Sequence, residues 1–318
     1  QRMNTVFVLL LLLLGVATRA TAQESGDTLV MTRCITCHLP KDGKVDVVAE
    51  QRKTPEGWEM TLTRMVRSHG VTLTPDELRT LVKYLSDSYG LAPAEVEPFR
   101  YMLEKRNHSV VSHDVPKVMQ ATCMQCHSYE RIALQRRSRE MWERTPDMKL
   151  ALFANTENVT ASSGLLTDYW LTEAKKQAVP YLTKQLPLTT TAWTKWQAKA
   201  KADYAGTWKI VGRDAGKGGD YTGQVVLKAL GGDMYDGEFS LDFSDGTKTT
   251  GKTTGIMYTG FQWRGSVQLE GEKRQREILF ASEDGTTLRG RRLLTPVGDL
   301  GMDETWHRSG DAARILSV

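Results

Sequence analysis

After Leu14 the chain has no apolar run long enough to cross a bilayer. It also lacks a dominant charge. Its 42 Lys and Arg face 38 Asp and Glu, for a formal net charge of +4, too mild to mark a nucleic-acid-binding protein. Cysteine is scarce, at four residues in 318. Four cysteines allow three disulfide pairings, but all four lie in two C-x-x-C pairs, and closing so small a loop would do little for a chain of this size. Beyond residue 201 no cluster of His, Cys or carboxylates has catalytic spacing, and the isolated His307 reads as an ordinary surface residue.

What is present is a globular composition, 25% charged and 40% hydrophobic, with length enough for two domains. The N-terminus departs from it. Arg2 precedes an apolar run from Val6 to Leu14, and Ala20-Thr21-Ala22 forms a small-residue cleavage site before Gln23. Residues 1–22 therefore read as a secretory signal peptide rather than a membrane anchor. Its removal would take away Arg2 and Arg19, leaving a net charge of about +2. Export places the four cysteines in an oxidising compartment. The chain opens on Gln1 and closes on "ARILSV", so Met3 is the expected start and residues 311–318 are expected to begin a further segment.

From residue 23 to about 201 the pattern is helical. In "LTPDELRTLVKYLSDSYG", Thr74 is the expected N-cap and Pro75 the first helical residue. Leu78, Leu81, Val82 and Leu85 recur at helical spacing, and Gly90 is the expected stop. "YWLTEAKKQAVPYLTKQLPL" reads similarly, with Thr172 as cap and Pro180 expected to kink or shorten the helix. The two regions belong to a duplication. Cys34 and Cys123 are 89 positions apart, Trp58 and Trp142 are 84 apart, and "RKTPEGW" (Arg52–Trp58) parallels "RRSREMW" (Arg136–Trp142). The repeats are expected over about 23–98 and 99–201.

From about Tyr204 the texture changes. Seven short segments, from "GTWKIVG" to "LRGRRLL", often alternate apolar with polar and are separated by turn signals such as Ser244-Asp245-Gly246. They predict an antiparallel β barrel or sandwich over 202–310. The expected class is a multidomain α plus β chain, an N-terminal all-α tandem domain followed by a β domain.

Each repeat carries C-x-x-C-H, at Cys34, Cys37 and His38 and again at Cys123, Cys126 and His127. This is the attachment signature of haem c. Two thiols bond the porphyrin edge, and the adjacent histidine lies under the iron as proximal ligand. A zinc site could use the four thiols but would leave both histidines unexplained, and a thioredoxin-like pair would want a βαβ setting. Two covalently bound haem c groups are therefore expected, in a tandem cytochrome c-like dihaem domain. For the distal side of the first haem, Trp58, Leu62, Met65 and His69 fall on one helical stripe, so Met65 or His69 can serve. The second unit offers Met148 and Lys149 after Trp142. His108 and His113 precede the second motif and could serve either haem. Arg131, Arg136, Arg137 and Arg139 are candidates to balance haem propionates, or else a solvated helix face.

"RKTPEGWEMTLTRMVRSHG", "CMQCHSYERIALQRR" and "GDYTGQVVLK" together resemble the alpha, dihaem subunit of the quinohemoprotein amine dehydrogenase family, over nearly all of the mature chain. The resemblance implies a dihaem cytochrome c domain followed by β domains. It implies two partners, a β-propeller subunit and a small subunit carrying a tryptophylquinone that oxidises primary amines in the periplasm. This chain would relay electrons from that quinone to an external acceptor such as a small cytochrome or cupredoxin. The family's second unit usually has a histidine seven positions after the tryptophan. Here that position is Lys149, and its equivalent in the first unit is Met65, which favours Met65 over His69. Met148, Lys149 or an open site remain for the second haem. An open site would also suit a dihaem cytochrome c peroxidase, the alternative function.

Overall fold

A computed structural model describes residues 24–104, 114–153, 156, 167–294 and 301–310. The expected signal peptide, His108, His113 and residues 311–318 lie outside the described residues. Among those described, no helix is long and apolar enough to cross a membrane.

The first helical unit is built from strongly signalled pieces. Ser25 caps the helix Gly26–Arg33 by accepting from Thr28 N–H. A two-residue hairpin follows, β1 (Pro40–Lys41) and β2 (Lys44–Val45), turning through Asp42 and Gly43 at φ 51° and 74°. Asp-Gly suits the left-handed φ values that such a turn demands. After β3 (Gln51–Lys53) the helix Pro55–His69 begins on the Thr54 cap and stops at Gly70, whose φ of 71° is left-handed. The helix Pro75–Ser88 opens with a full capping box, Thr74 and Glu77 each satisfying the other's backbone N–H. Its apolar stripe, Leu81, Val82 and Leu85, packs with Leu29, Trp58 and Leu62. Each such leucine contributes about 1.5–3 kcal/mol relative to exposure.

The second unit repeats this plan. Helices Lys117–Ala121 and Tyr129–Ala133 lead to β4 (Gln135–Arg137), and Ser138 caps the helix Arg139–Leu152. The late helix differs from expectation. It already runs at Thr167–Glu173, so Thr172 lies in its last turn rather than at a cap. Pro180 falls in the first turn of a separate helix, Val179–Gln185, so the run is shortened there as expected. A π-turn at Ala174–Ala178 leads into that helix, with Val179 N–H donating to Ala174 O in the wider i→i+5 pairing. The core here is Met119, Tyr129, Ile132, Trp142, Val179 and Leu182.

A short ribbon joins the two units. β3 and β4 pair antiparallel, with Gln51, Arg52 and Lys53 opposite Arg137, Arg136 and Gln135. Arg52 and Arg136 are equivalent in the duplication and stand face to face, so a local two-fold passes between them.

After the helix Thr191–Gln197 the chain enters a closed barrel of eight antiparallel strands. These are β5 (Gly206–Asp214), β6 (Gly219–Gly231), β7 (Met234–Phe243), β8 (Lys248–Tyr258), β9 (Gln262–Leu269), β10 (Gln275–Ala281), β11 (Thr287–Leu294) and β12 (Gly301–Arg308). Neighbours in sequence pair throughout, and β12 closes on β5. Of the two expected forms the structure is thus the barrel, with one strand more than the sequence pattern revealed. Its interior holds Trp208, Trp263 and Trp306, all fully buried, and a polar group among them. Arg292 and Glu304 form an ion pair at 3.0 Å with both side chains inaccessible, and Tyr221 and Trp306 donate to Glu304 at 2.5 and 3.1 Å.

The barrel docks on the first unit at Thr259, whose backbone N–H donates to Asp87 at 2.6 Å and whose hydroxyl donates to the Ser86 carbonyl at 3.1 Å. Trp196 adds a hydrogen bond to the Thr259 carbonyl at 2.8 Å. Gly90 lies in this joint, since a Cβ there would fall 2.1 Å from Ser86 O and 2.9 Å from Thr259 Oγ1. Its glycine serves close approach; the helix has already ended at Ser88.

Candidate functional site

The first motif adds one turn to the helix Gly26–Arg33. Cys34 N–H donates to Val30 O at 3.0 Å and His38 N–H to Cys34 O at 2.9 Å. The turn carries Cys34, Cys37 and His38 together, with Cys34 packed against the Trp58 core. Burial pushes the Cys34 thiol up. It pushes the His38 imidazole down, against the pull of Asp46, and the nearby His69 adds to the lowering. His69 is therefore within electrostatic reach of His38, although it is exposed. Met65, one turn earlier on the same helix, is half-buried.

The second motif opens onto a cavity of about 440 Å³ lined by Cys123, Cys126, His127, Trp142, Lys149 and Trp170 among others, a volume ordinary for a cofactor site. His127 Nδ1 lies 3.1 Å from the Ser128 carbonyl. A carbonyl only accepts, so Nδ1 carries the proton and Nε2 is the nitrogen suited to ligate a metal. Lys149 belongs to the cavity wall and Met148 does not. Burial pushes the Lys149 ammonium down to about 8, helped by Arg131, Arg137 and Arg64 and opposed by Cys123. The π-turn contributes Ala174 and Ala178 to the same wall, small residues that keep it open.

All four cysteines are free thiols, and the two pairs sit in separate units. Among the described residues no group of three or more His, Cys, Asp or Glu side chains is placed to hold a metal ion. The four-ligand zinc arrangement is therefore not assembled.

The duplication extends to atoms. Trp58 Nε1 donates to Tyr89 O, and Trp142 Nε1 to Leu186 O, both at 3.0 Å. Lys53 Nζ lies 5.0 Å from the Trp58 ring centroid, and the Arg137 guanidinium 5.1 Å from that of Trp142. Lys53 donates to Thr61 Oγ1 at 2.7 Å, and Arg137 to Thr145 Oγ1 at 2.9 Å. Thr61 and Thr145 each donate back to the carbonyl four residues earlier. The offset of 84 that relates Trp58 to Trp142, Lys53 to Arg137 and Thr61 to Thr145 relates Met65 to Lys149.

The arginine-rich tract divides. Arg136 is buried and ion-paired with Glu95 at 3.1 Å, so it is committed to the fold. Arg139 pairs with Glu143 on the surface. Arg131 and Arg137 line the cavity. Sequence reasoning passed over Lys53 and Arg64. The repeat offset carries Arg137 onto Lys53, which was the available signal.

A thiol pair, a following imidazole and an apolar tryptophan-floored pocket rimmed with cations fit a haem, whose ring is apolar and whose propionates are anionic. The comparisons agree. A family model described as quinohemoprotein amine dehydrogenase A, alpha subunit, haem binding, matches residues 24–193, and one described as alpha subunit domain II matches residues 201–308. No curated protein matches the chain. Among solved structures, a de novo designed fluorescence-activating β barrel is 18% identical with a TM-score of 0.28, covering 33% of this chain and 94% of its own. A redesigned barrel bound to DFHBI is 16% identical with a TM-score of 0.30, covering 33% and 94%. Likeness at such scores carries nothing for function. The helical half with its two motifs is the haem-binding domain, the barrel is domain II, and the chain belongs to the quinohemoprotein amine dehydrogenase alpha-subunit family.

Proposed function

We propose that this chain is the periplasmic electron-transfer subunit of a quinohemoprotein amine dehydrogenase, with two covalently bound haem c groups. It would receive electrons from a peptide-derived quinone on a small partner subunit, beside a β-propeller subunit, and pass them to an external acceptor such as a small cytochrome or cupredoxin. Haem iron supplies a one-electron couple, so two such groups suit the two electrons of an amine oxidation. Cys34 and Cys37 would hold one haem and Cys123 and Cys126 the other, with His38 and His127 as proximal ligands. Met65, with His69 as its alternative, would stand opposite His38; Lys149 or Met148 would stand opposite His127.

The observation that carries this reading is the atom-level repetition around two C-x-x-C-H motifs, none of whose cysteines is in a disulfide. A pyridine haemochrome assay on the exported chain, with intact-mass measurement, tests it. Two haem c per chain is the expected result, and none or one would overturn it. The lysine at the position equivalent to Met65 favours a second reading, a dihaem peroxidase with one open site. Peroxide turnover by the half-reduced chain would select that reading, and inertness would remove it.

A further inference from the structure

Strand pleating sends alternate residues of the β3–β4 ribbon to opposite faces. Arg52 and Arg136 take one face and end on Glu95. Lys53 and Arg137 take the other, where each lies over its own unit's tryptophan. Lys53 is 4% exposed and Arg137 7% exposed. Their hydrogen-bond acceptors are neutral: Thr61 for Lys53, and Thr145 and the Gln135 side chain for Arg137. The Nε atoms of Arg137 and Arg64 are buried without any partner. Among the described residues none of these three cations forms an ion pair with a carboxylate. Two more cations approach from the second unit. Arg131 reaches across to Met60 of the first unit at 3.7 Å, and Lys149 shares the cavity wall with Arg131 and Arg137.

Buried like charges without counter-ions are costly. Burial holds Lys53 far below the usual ammonium range, and Arg137, Arg64 and Lys149 lower it further. Such a cluster calls for an anionic ligand with carboxylates at the seam between the units.

We propose that Lys53, Arg64 and Arg137 form one shared carboxylate-binding site at the β3–β4 seam that would take the propionates of both haems. The proposal rests on the haem reading above. A cation at a propionate favours the reduced, more negative haem, so the cluster raises the reduction potential of both groups. Because it is shared, a change on one strand reaches the haem of either unit.

Potentiometric titration of the haem-loaded complex tests this with Lys53→Met, Arg137→Gln and the less buried Arg64→Gln, each checked for two haems per chain. The expected result is a downward shift of both potentials in every variant, restored by Lys53→Arg and Arg137→Lys. Unchanged potentials with two haems retained would overturn the shared site while leaving the functional reading intact. A shift confined to one haem would also overturn it. Absence of haem from the wild-type chain would remove both. Should Lys53→Met or Arg137→Gln fail to fold, Arg64→Gln alone decides.

Discussion

Arg52 and Arg136 face each other across β3 and β4 and converge on the single carboxylate of Glu95. Arg52 donates to both carboxylate oxygens, at 2.8 and 2.9 Å, and Thr190 adds a third donor at 2.9 Å. A two-fold arrangement thus ends on a residue that has no two-fold mate, and one buried acid holds both repeats to the segment leading into the barrel.

Replacing Glu95 by Ala leaves two buried guanidiniums without their shared partner and should cost about 3–5 kcal/mol of stability. Burial alone would raise the Glu95 carboxyl, but the Arg52 hydrogen bonds and the charges of Arg136 and Arg52 hold it below the ordinary range. Its contribution is therefore complete above the unfolded carboxylate pKa and lost as pH falls through the lower folded value. Denaturant unfolding of wild type and Glu95→Ala at neutral and acid pH checks both points. A cost that stays the same at acid pH would contradict the assignment.

Glu277 should behave in the opposite sense. Burial and the neighbouring Glu304 push its carboxyl up to about 8. Trp263 and Thr253 donate to one oxygen at 3.0 and 3.1 Å, and the other has no partner. The folded barrel keeps a proton that the unfolded chain releases above the ordinary carboxylate range. Stability should therefore fall as pH rises from that range toward about 8. Glu277→Gln should flatten this slope. Urea midpoints measured across the window would show it, and an unaltered slope would refute it.

Gly90 admits no side chain. Gly90→Ala would drive a Cβ into the Ser86 carbonyl and Thr259, an overpacking expected to cost about 1–3 kcal/mol. Thermal unfolding of the variant measures the loss, and wild-type stability would mean the joint yields easily.

For the first haem, Met65→Leu should abolish the weak far-red band of a sulfur-ligated ferric haem, while His69→Ala should leave it intact. Half-burial of Met65, exposure of His69 and the equivalence of Met65 with Lys149 all point this way. A first haem without that band in the wild type, with a spectrum that His69→Ala changes and Met65→Leu does not, would make His69 the ligand.

Much of this was legible in the chain because its signals are local. Thr74, Pro75 and Glu77 announce a helix start within four positions, and the C-x-x-C-H motifs and their spacing announce a repeat. The strand Gly301–Arg308 escaped because its inward positions read Met302, Glu304, Trp306. A buried glutamate breaks the apolar alternation, and its partner Arg292 comes from β11. Lys53 escaped for a similar reason. A lysine following an arginine looks like a solvated pair until a three-residue ribbon joins it to a segment more than eighty positions away.

The local two-fold between Arg52 and Arg136 has one more implication. Two copies of one scaffold, with matching tryptophans, threonines and carbonyl contacts, have no built-in preference for which should hold an electron first. Bias comes from the places where the halves disagree. Met65 set against Lys149, and Lys53 against Arg137, are such places. In the proposed relay these side chains, together with the barrel that docks on the first unit, would set the direction of travel.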